Sequence, residues 1–144
     1  MREIKIPLLF GSPHRKKIND DKIYFNSAYL LSGTGKTLSR YDKIHLVPFG
    51  EFVPFRTILF FIEKLVIMIG DFGRGTEATV MENAGNKVGI SICYELIFPD
   101  LIRQSVKNGA NFLVNITNDA WFGKSAASYQ HMSCLLYTSP SPLD

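Results

Sequence analysis

Residues 88–116 read VGISICYELIFPDLIRQSVKNGANFLVNI, and this stretch decides the fold class. Residues 88–92 are apolar and largely β-branched, which predicts a buried strand. Pro99 suits the start of a helix, and the Asn-Gly pair at 108–109 suits its end. Residues 112–116 predict another short strand. A strand, a helix and a strand within about 30 residues form a βαβ-type unit, so we predict an α/β fold.

The sequence pattern predicts that the helix after Pro99 has one side that packs against other residues. Four residues fall on one side of a helical wheel, namely Leu101, Ile102, Ser105 and Val106. We therefore expect this side to pack on the sheet.

The chain before residue 40 predicts further strands. Residues 4–10 form an apolar run that predicts a strand ending in a turn at residues 11–13. Residues 14–22 are polar and predict a loop. Residues 24–32 alternate in part and predict a second strand, followed by a turn that leads to Arg40.

The composition excludes several classes of protein. The chain has 144 residues, of which 46% are hydrophobic and 20% charged, so it is rich enough in apolar residues for a packed core. A net charge of +3 without a basic block gives no reason to expect a nucleic-acid partner. Two cysteines do not make a disulfide scaffold. His14, His45 and His131 lie too far apart in sequence for zinc spacing, so we expect no metal and no cofactor.

Cys93 is the first candidate for chemistry. It follows a predicted buried strand at once, and ligand and catalytic groups gather at the carboxyl ends of strands in α/β sheets. A thiol there can act as a nucleophile when a base and a positive charge lie nearby. The alternative interpretation is a small buried core residue, which is the commoner state of a lone cysteine.

Residues 41–54 read YDKIHLVPFGEFVP and supply two charged candidates, Lys43 and Glu51. Prolines and glycine punctuate the segment, so neither charge lies in a regular helix. The alternative is an ordinary surface lysine and glutamate. Both, however, have aliphatic or aromatic neighbours, which favours a partly buried, paired Lys43 and Glu51.

These motifs resemble the nitrilase, or carbon–nitrogen hydrolase, superfamily, whose sites combine Glu, Lys and Cys. The match is carried by YDK at residues 41–43 and by ICYE at residues 92–95. More narrowly, HLVPFGE at residues 45–51 and NDAWFG at residues 118–123 resemble the nitrilase-like domain of the apolipoprotein N-acyltransferase family of bacterial membrane enzymes. The resemblance covers residues 7–132.

The resemblance implies an αββα sandwich, incomplete in this chain, and a set of residue roles. Cys93 would attack the ester carbonyl of a phospholipid and form an acyl-thioester. Lys43 would stabilise the oxyanion beside a backbone N–H near Tyr94, and Glu51 would orient Lys43 or assist proton movement. The remaining implied residues bind substrate: Tyr94 and Glu95 would shape the site, and Trp121 and Phe122 would line its entrance.

The resemblance also implies partners and a location. The acyl donor would be a phospholipid, and the acceptor would be the N-terminal amine of a diacylglyceryl-cysteine lipoprotein, in a ping-pong mechanism. The parent protein would lie in the bacterial inner membrane, with this domain on the periplasmic side at the membrane surface. Residues 55–69 are expected to form a membrane-facing helical arm.

The chain departs from the family pattern at both ends. The family's general base is an upstream Glu that has no counterpart here, and its membrane helices are missing, so we expect an internal fragment that is inactive alone. Residues 1–132 are predicted to be a partial carbon–nitrogen hydrolase domain. Residues 133–144 are predicted to be a non-native or disordered tail, because the segment from Cys134 onward contains Pro140 and Pro142 and has no helical period.

Two other functions stay open at this point. One is a soluble amidase of the same superfamily that hydrolyses a small carbon–nitrogen substrate. The other is an inactive remnant. The HLVPFGE and NDAWFG strings favour the acyltransferase over the amidase, and the presence of Lys43, Glu51 and Cys93 argues against a degenerate parent.

Overall fold

The first sheet is built by the N-terminal part of the chain. The computed structural model describes residues 5–18, 21–48, 51 and 72–138. In this sheet β1 (Leu8–Ile18), β2 (Asp21–Leu31) and β3 (Thr37–Asp42) run antiparallel in the order β1-β2-β3. The short β4 (Phe72–Gly73) pairs with β2 in parallel. Ala28 at the centre pairs with Gly11 on one side and with Tyr41 on the other.

The length of β1 corrects the sequence prediction. Residues 11–13 were expected to turn and residues 14–22 to form a loop, but β1 continues to Ile18 and β2 begins at Asp21. The polar stretch is a strand because each residue faces a partner across the ladder; His14, for example, pairs with Phe25, and its ring also bonds the Tyr29 hydroxyl at 2.7 Å. Pro13 is tolerated because β1 is an edge strand in this order and needs no N–H on its outer side.

The second sheet confirms the predicted βαβ unit. It orders β5 (Val80–Asn83), β6 (Asn86–Ile92) and β7 (Phe112–Ile116), with β5 antiparallel and β7 parallel to β6. Helix α1 (Pro99–Lys107) connects β6 to β7, as the sequence predicts. It buries Leu101, Ile102 and Ser105, but Val106 is 53% exposed, so the prediction that Val106 shares the packed face is wrong.

The two sheets pack face to face, and the core lies between them. Its buried residues come from both sheets: Ala28, Leu30, Tyr41, Met81, Val88, Ile90 and Ile92. Helix α1 covers the other side of the second sheet, where Gly89 lets it come close: a Cβ at Gly89 would lie 3.0 Å from that of Ser105. The sheets therefore form the centre of a layered sandwich with a helix outside.

Three further elements complete the described part of the chain. The 3₁₀ helix η1 (Cys93–Ile97) follows β6, and the 3₁₀ helix η2 (Asp119–Phe122) follows β7. Helix α2 (Ala127–Thr138) packs against both. Its extent corrects the expectation of a tail without helical structure, because residues 134–138 are helical; residues 139–144 lie outside the described residues.

The predicted membrane-facing arm at residues 55–69 also lies outside the described residues. Among the helices that are described, none is long and apolar enough to cross a bilayer.

The close approach of Gly75 to the backbone of Asp42 can be tested by substitution. A Cβ at this buried position would lie 1.9 Å from the backbone oxygen of Asp42, so Gly75→Ala must displace the chain next to Lys43. We expect a loss in the free energy of unfolding at the upper end of the roughly 1–3 kcal/mol that overpacking costs. Urea unfolding followed by circular dichroism measures it.

The matched control for this experiment is Gly85→Ala. Gly85 has a positive φ of 82° but open space around its missing Cβ, so its variant bears only backbone strain of about 1 kcal/mol. Equal losses in the two variants would show that the backbone at residues 42 and 75 yields easily.

Candidate active site

Lys43 is held at the end of β3 by its own backbone. Its N–H donates to the Asn26 carbonyl at 2.8 Å, and its carbonyl accepts from the Gly75 N–H at 2.8 Å. The side chain is only 1% exposed, and its Nζ lies 2.8 Å from Glu51 Oε2 and 2.9 Å from Oε1. The site thus contains a buried ammonium in a fixed position.

Glu51 is the counter-ion that stabilises the buried ammonium of Lys43. Besides Lys43, its carboxylate accepts from Asn26 Nδ2 and from the Val47 N–H, both at 2.8 Å. A buried charge is tolerated only when it is paired and its remaining lone pairs are used, and both conditions hold here. The sequence expectation that Lys43 and Glu51 form a partly buried pair is therefore what the geometry shows.

Cys93 lies at the point where β6 becomes η1. Its φ of 56° places it in the left-handed region, which costs a residue with a side chain about 1–2 kcal/mol. Its thiol is half-buried, and the residue packs against the core cluster. Backbone strain of this kind collects at functional sites, since the surrounding structure must enforce it.

Tyr94 connects the Cys93 turn to Lys43. Lys43 Nζ lies 5.3 Å from the centre of the Tyr94 ring, within the range of a cation–π contact. The Tyr94 hydroxyl donates to the Leu46 carbonyl at 2.8 Å. Burial raises the pKa of Tyr94, and the charges of Glu51 and Glu95 add to this, so the phenol keeps its proton at neutral pH.

Aromatic stacking ties the same two segments together. The Tyr94 ring meets Phe98 edge-on at 5.2 Å, and Phe98 stacks on His45 at 4.2 Å between ring centres. His45 follows Lys43 by two residues, so the Lys43 segment is clamped onto η1 from the side as well.

Glu95 is fully buried and acts as a hub of hydrogen bonds. Its Oε1 accepts from the backbone N–H of Ile44 at 2.7 Å and of His45 at 2.9 Å, and its Oε2 accepts from the Ile92 N–H at 2.8 Å. The Tyr41 hydroxyl lies 3.0 Å from both oxygens. Every contact uses the carboxylate as an acceptor, which is the role of its ionised form. Glu95 therefore fixes the backbone under the site, and its side chain points into protein.

The NDAWFG segment, which follows β7, contains η2. Asn118 caps η2 by accepting from the Ala120 N–H at 3.2 Å, and Asp119 bonds His131 of α2 at 3.2 Å. Trp121 and Phe122 lie in the last positions of η2. Their role in lining the entrance stays a prediction.

Three residues that support the site were missed by the sequence analysis. Asn26 holds Glu51, Tyr41 holds Glu95, and Asn115 of β7 donates to the Cys93 carbonyl at 2.8 Å. Tyr41 left a signal as the first residue of the YDK motif, although no role was given to it, and Asn115 left one as the single polar residue in the apolar run FLVNI. Among the described residues, no three His, Cys, Asp or Glu side chains lie close enough together to hold a metal ion.

Comparison with known proteins decides the family. The family model for carbon–nitrogen hydrolases matches residues 1–136. The chain belongs to the carbon–nitrogen hydrolase family. The YDK and ICYE motifs of this chain are the segments that bring Lys43, Tyr94 and Glu95 together in the structure.

The chain is similar to longer bacterial proteins. A protein of Geobacter metallireducens named apolipoprotein N-acyltransferase is 48% identical over 136 residues, which is 94% of this chain and 26% of that protein. One of Allorhizobium ampelinum with the same name is 42% identical over 111 residues, covering 75% of this chain and 21% of that protein. The chain therefore spans about a quarter of the length of these relatives.

Solved structures support the fold class. A mutant of the Nesterenkonia AN1 amidase from the nitrilase superfamily superposes with a TM-score of 0.53 at 20% identity, over 78% of this chain and 36% of that one. A glutamine-dependent NAD⁺ synthetase from Acinetobacter baumannii gives 0.57 at 22% identity, over 78% of this chain and 18% of that one. At this identity the likeness shows the fold alone, and it confirms the predicted nitrilase-like α/β class.

The raised pKa of Tyr41 allows its hydrogen bond to Glu95 to be tested by changing the pH. Burial raises the pKa of Tyr41 above its ordinary 10.0, and the charge of Glu95 and the hydrogen bond to it act in the same direction. The folded state therefore keeps this proton to a higher pH than the unfolded chain. This contribution to the free energy of unfolding is complete below pH 10 and is lost above it, by about 1.4 kcal/mol per pH unit.

Tyr41→Phe removes that dependence together with the hydrogen bond. We expect the variant to be less stable than the wild type by about 1.5–3 kcal/mol at pH 8, because a hydrogen bond to a buried charge is lost. The difference in the free energy of unfolding between the wild type and Tyr41→Phe should be smaller at pH 11 than at pH 8. Urea unfolding at the two pH values measures it, with exposed Tyr24→Phe as the control. A difference that is equal at both pH values would contradict the proposed burial of the Tyr41 phenol against Glu95.

Proposed function

We propose that this chain is the catalytic part of an apolipoprotein N-acyltransferase. In this proposal Cys93 takes a fatty acyl group from a phospholipid as a thioester and passes it to the N-terminal amine of a diacylglyceryl-cysteine lipoprotein. The observation that carries the proposal is the buried Lys43–Glu51 pair beside Tyr94 and the strained Cys93 turn. The printed names of the relatives support the choice of reaction.

The first half-reaction is the acylation of Cys93. The thiolate attacks the ester carbonyl carbon, a C–S bond forms, and the carbonyl electrons move onto oxygen. The intermediate then collapses, the C–O bond breaks, and a lysophospholipid leaves with a proton. The thiol proton goes to a carboxylate base, a role that the family resemblance gives to an upstream Glu outside this chain.

Lys43 stabilises the oxyanion in this step. Its ammonium is desolvated, so its field is weakly screened, and it is held in place before the charge develops. Glu51 keeps the ammonium in position through two short contacts. Tyr94 and Glu95 shape the site, the first through its ring against Lys43 and the second through the backbone of the Lys43 segment.

The second half-reaction transfers the acyl group. The lipoprotein's amine attacks the thioester carbonyl, a C–N bond forms, the C–S bond breaks and the thiol is regenerated. The same oxyanion donors serve both steps. The proposal takes three further points from the family resemblance: the parent protein lies in the inner membrane, this domain lies at its periplasmic surface, and Trp121 and Phe122 line the entrance.

The test uses a chimera that supplies the missing part of the enzyme. In the Geobacter metallireducens relative, residues 1–136 of this chain replace the matching segment. After incubation with phospholipid, mass spectrometry should find an acyl adduct on Cys93, and Cys93→Ala should abolish it. Lys43→Met should slow acylation by about 10²–10³-fold, the usual effect of losing one oxyanion donor. Exposed Lys36→Met is the matched control and should be without effect.

Several outcomes would contradict the proposal. An adduct on another residue, or one that survives Cys93→Ala, would remove Cys93 as the nucleophile. Hydrolysis of small amides without any acyl transfer to an amine would favour the amidase. The isolated 144-residue chain should show little or no turnover, and robust turnover would show that a carboxylate within it, such as Glu51, serves as the base.

A further inference from the structure

The peptide bond between Cys93 and Tyr94 is held by a residue outside the predicted site. Asn115 Nδ2 donates to the Cys93 carbonyl oxygen at 2.8 Å and to Ser91 Oγ at 3.0 Å. The position follows from the sheet register, in which Asn115 of β7 pairs with Ser91 of β6. The side-chain amide of Asn115 thus donates to β6 and to Cys93, which directly follows that strand.

Peptide geometry turns this contact into a statement about Tyr94. A peptide bond is planar and trans, so the C=O of Cys93 and the N–H of Tyr94 point in opposite directions. Because Asn115 draws the carbonyl toward β7, the N–H is aimed away from β7. Tyr94 lies in the first turn of η1, where backbone N–H groups have no partner within their own helix.

The conformation of Cys93 makes such a restraint necessary. With a φ of 56°, Cys93 stays in a strained region that it would leave if nothing held it. A rotation of the Cys93–Tyr94 peptide would move the carbonyl and swing the N–H with it. The bond from Asn115 opposes that rotation directly.

We propose that Asn115 is a positioning residue that aims the Tyr94 N–H at the oxyanion of an acyl group on Cys93. It acts through the peptide bond and does not touch the substrate. Lys43 supplies the charge of the oxyanion hole, and Asn115 sets the direction of its second donor. The inference rests on the proposed function in one respect, namely that Cys93 is the nucleophile.

Two probes of the same thiol separate this role from a merely structural one. p-Nitrophenyl acetate acylates Cys93 through a tetrahedral oxyanion, forming a C–S bond and releasing p-nitrophenolate. Iodoacetamide alkylates Cys93 by direct displacement of iodide, without an oxyanion. Both reactions are run at one pH on the chimera with the Geobacter metallireducens relative, so the fraction of thiolate cancels in the ratio of their rates. Mass spectrometry of the Cys93 peptide separates this thiol from Cys134.

The informative variant is Asn115→Leu, which keeps the shape and removes both donors. We expect its acylation-to-alkylation ratio to fall by about 10²-fold, the scale of losing an oxyanion donor. Asn115→Asp, which places an oxygen against the Cys93 carbonyl, should lower the ratio in the same way and serves if the Leu variant is poorly folded. Ser91→Ala is the matched control: it removes the other partner of Asn115, leaves the Cys93 contact, and should keep the ratio of the wild type.

The outcomes distinguish the inference from the proposed function. Equal loss of both rates, or no change in either, would overturn the positioning role while leaving Cys93 as the nucleophile. An acylation-to-alkylation ratio that falls as strongly in Ser91→Ala as in Asn115→Leu would also overturn the positioning role. A chimera with the wild-type segment whose Cys93 is not acylated at all would overturn the proposed nucleophile and the inference together.

Discussion

The carboxylate of Glu95 is the constraint on which the rest of the site depends. It lies at 0% exposure and accepts from the N–H groups on both sides of the site, those of Ile44 and His45 after β3 and that of Ile92 at the end of β6. β3 belongs to the first sheet and β6 to the second. A single buried charge therefore joins the two sheets where the segments of the candidate site leave them. Removing it would strand several buried donors at once.

The two glutamates of the site have different electrostatic partners. Glu51 faces the ammonium of Lys43 and is paired by charge, whereas Glu95 is surrounded by neutral donors and organises the backbone. Tyr94 is affected by both: its ring contacts Lys43, and burial, followed by the charges of Glu51 and Glu95, raises its pKa. The result is a fixed positive group against the ring of Tyr94, the residue that follows Cys93 in its strained turn. The proposed acyl transfer would use this group to stabilise the charge that forms on the carbonyl oxygen.

The sequence predicted those parts of the fold whose pattern is local. The strand, helix and strand from β6 to β7 follow from apolar periodicity and from Pro99 and the Asn-Gly pair, and all three form as predicted. The polar half of β1 was missed because its stability comes from pairing with β2, which no local pattern reveals. The helical residues 134–138 were missed because α2 gains its stability from packing on η1 and η2.

The same division applies to the site. Lys43 and Glu51 were paired correctly because two charges among apolar neighbours need each other. Glu95 was assigned to the site, but its many donors could not be foreseen, since they are backbone groups from distant segments. Asn115 escaped notice because its contacts with Ser91 and Cys93 come from the register of β7 against β6. Residues that act through a neighbour's backbone leave little trace in sequence.

Amide hydrogen exchange in the Glu95→Gln variant tests most directly whether one carboxylate couples the two halves of the site. The account predicts that exchange at Ile44, His45 and Ile92 accelerates together by at least about tenfold, which corresponds to about 1.4 kcal/mol, while Leu30 in β2 and the control Glu82→Gln keep wild-type rates. Faster exchange at Ile92 alone, with Ile44 and His45 unchanged, would contradict it, because the Lys43 segment would then be held independently of the Cys93 turn.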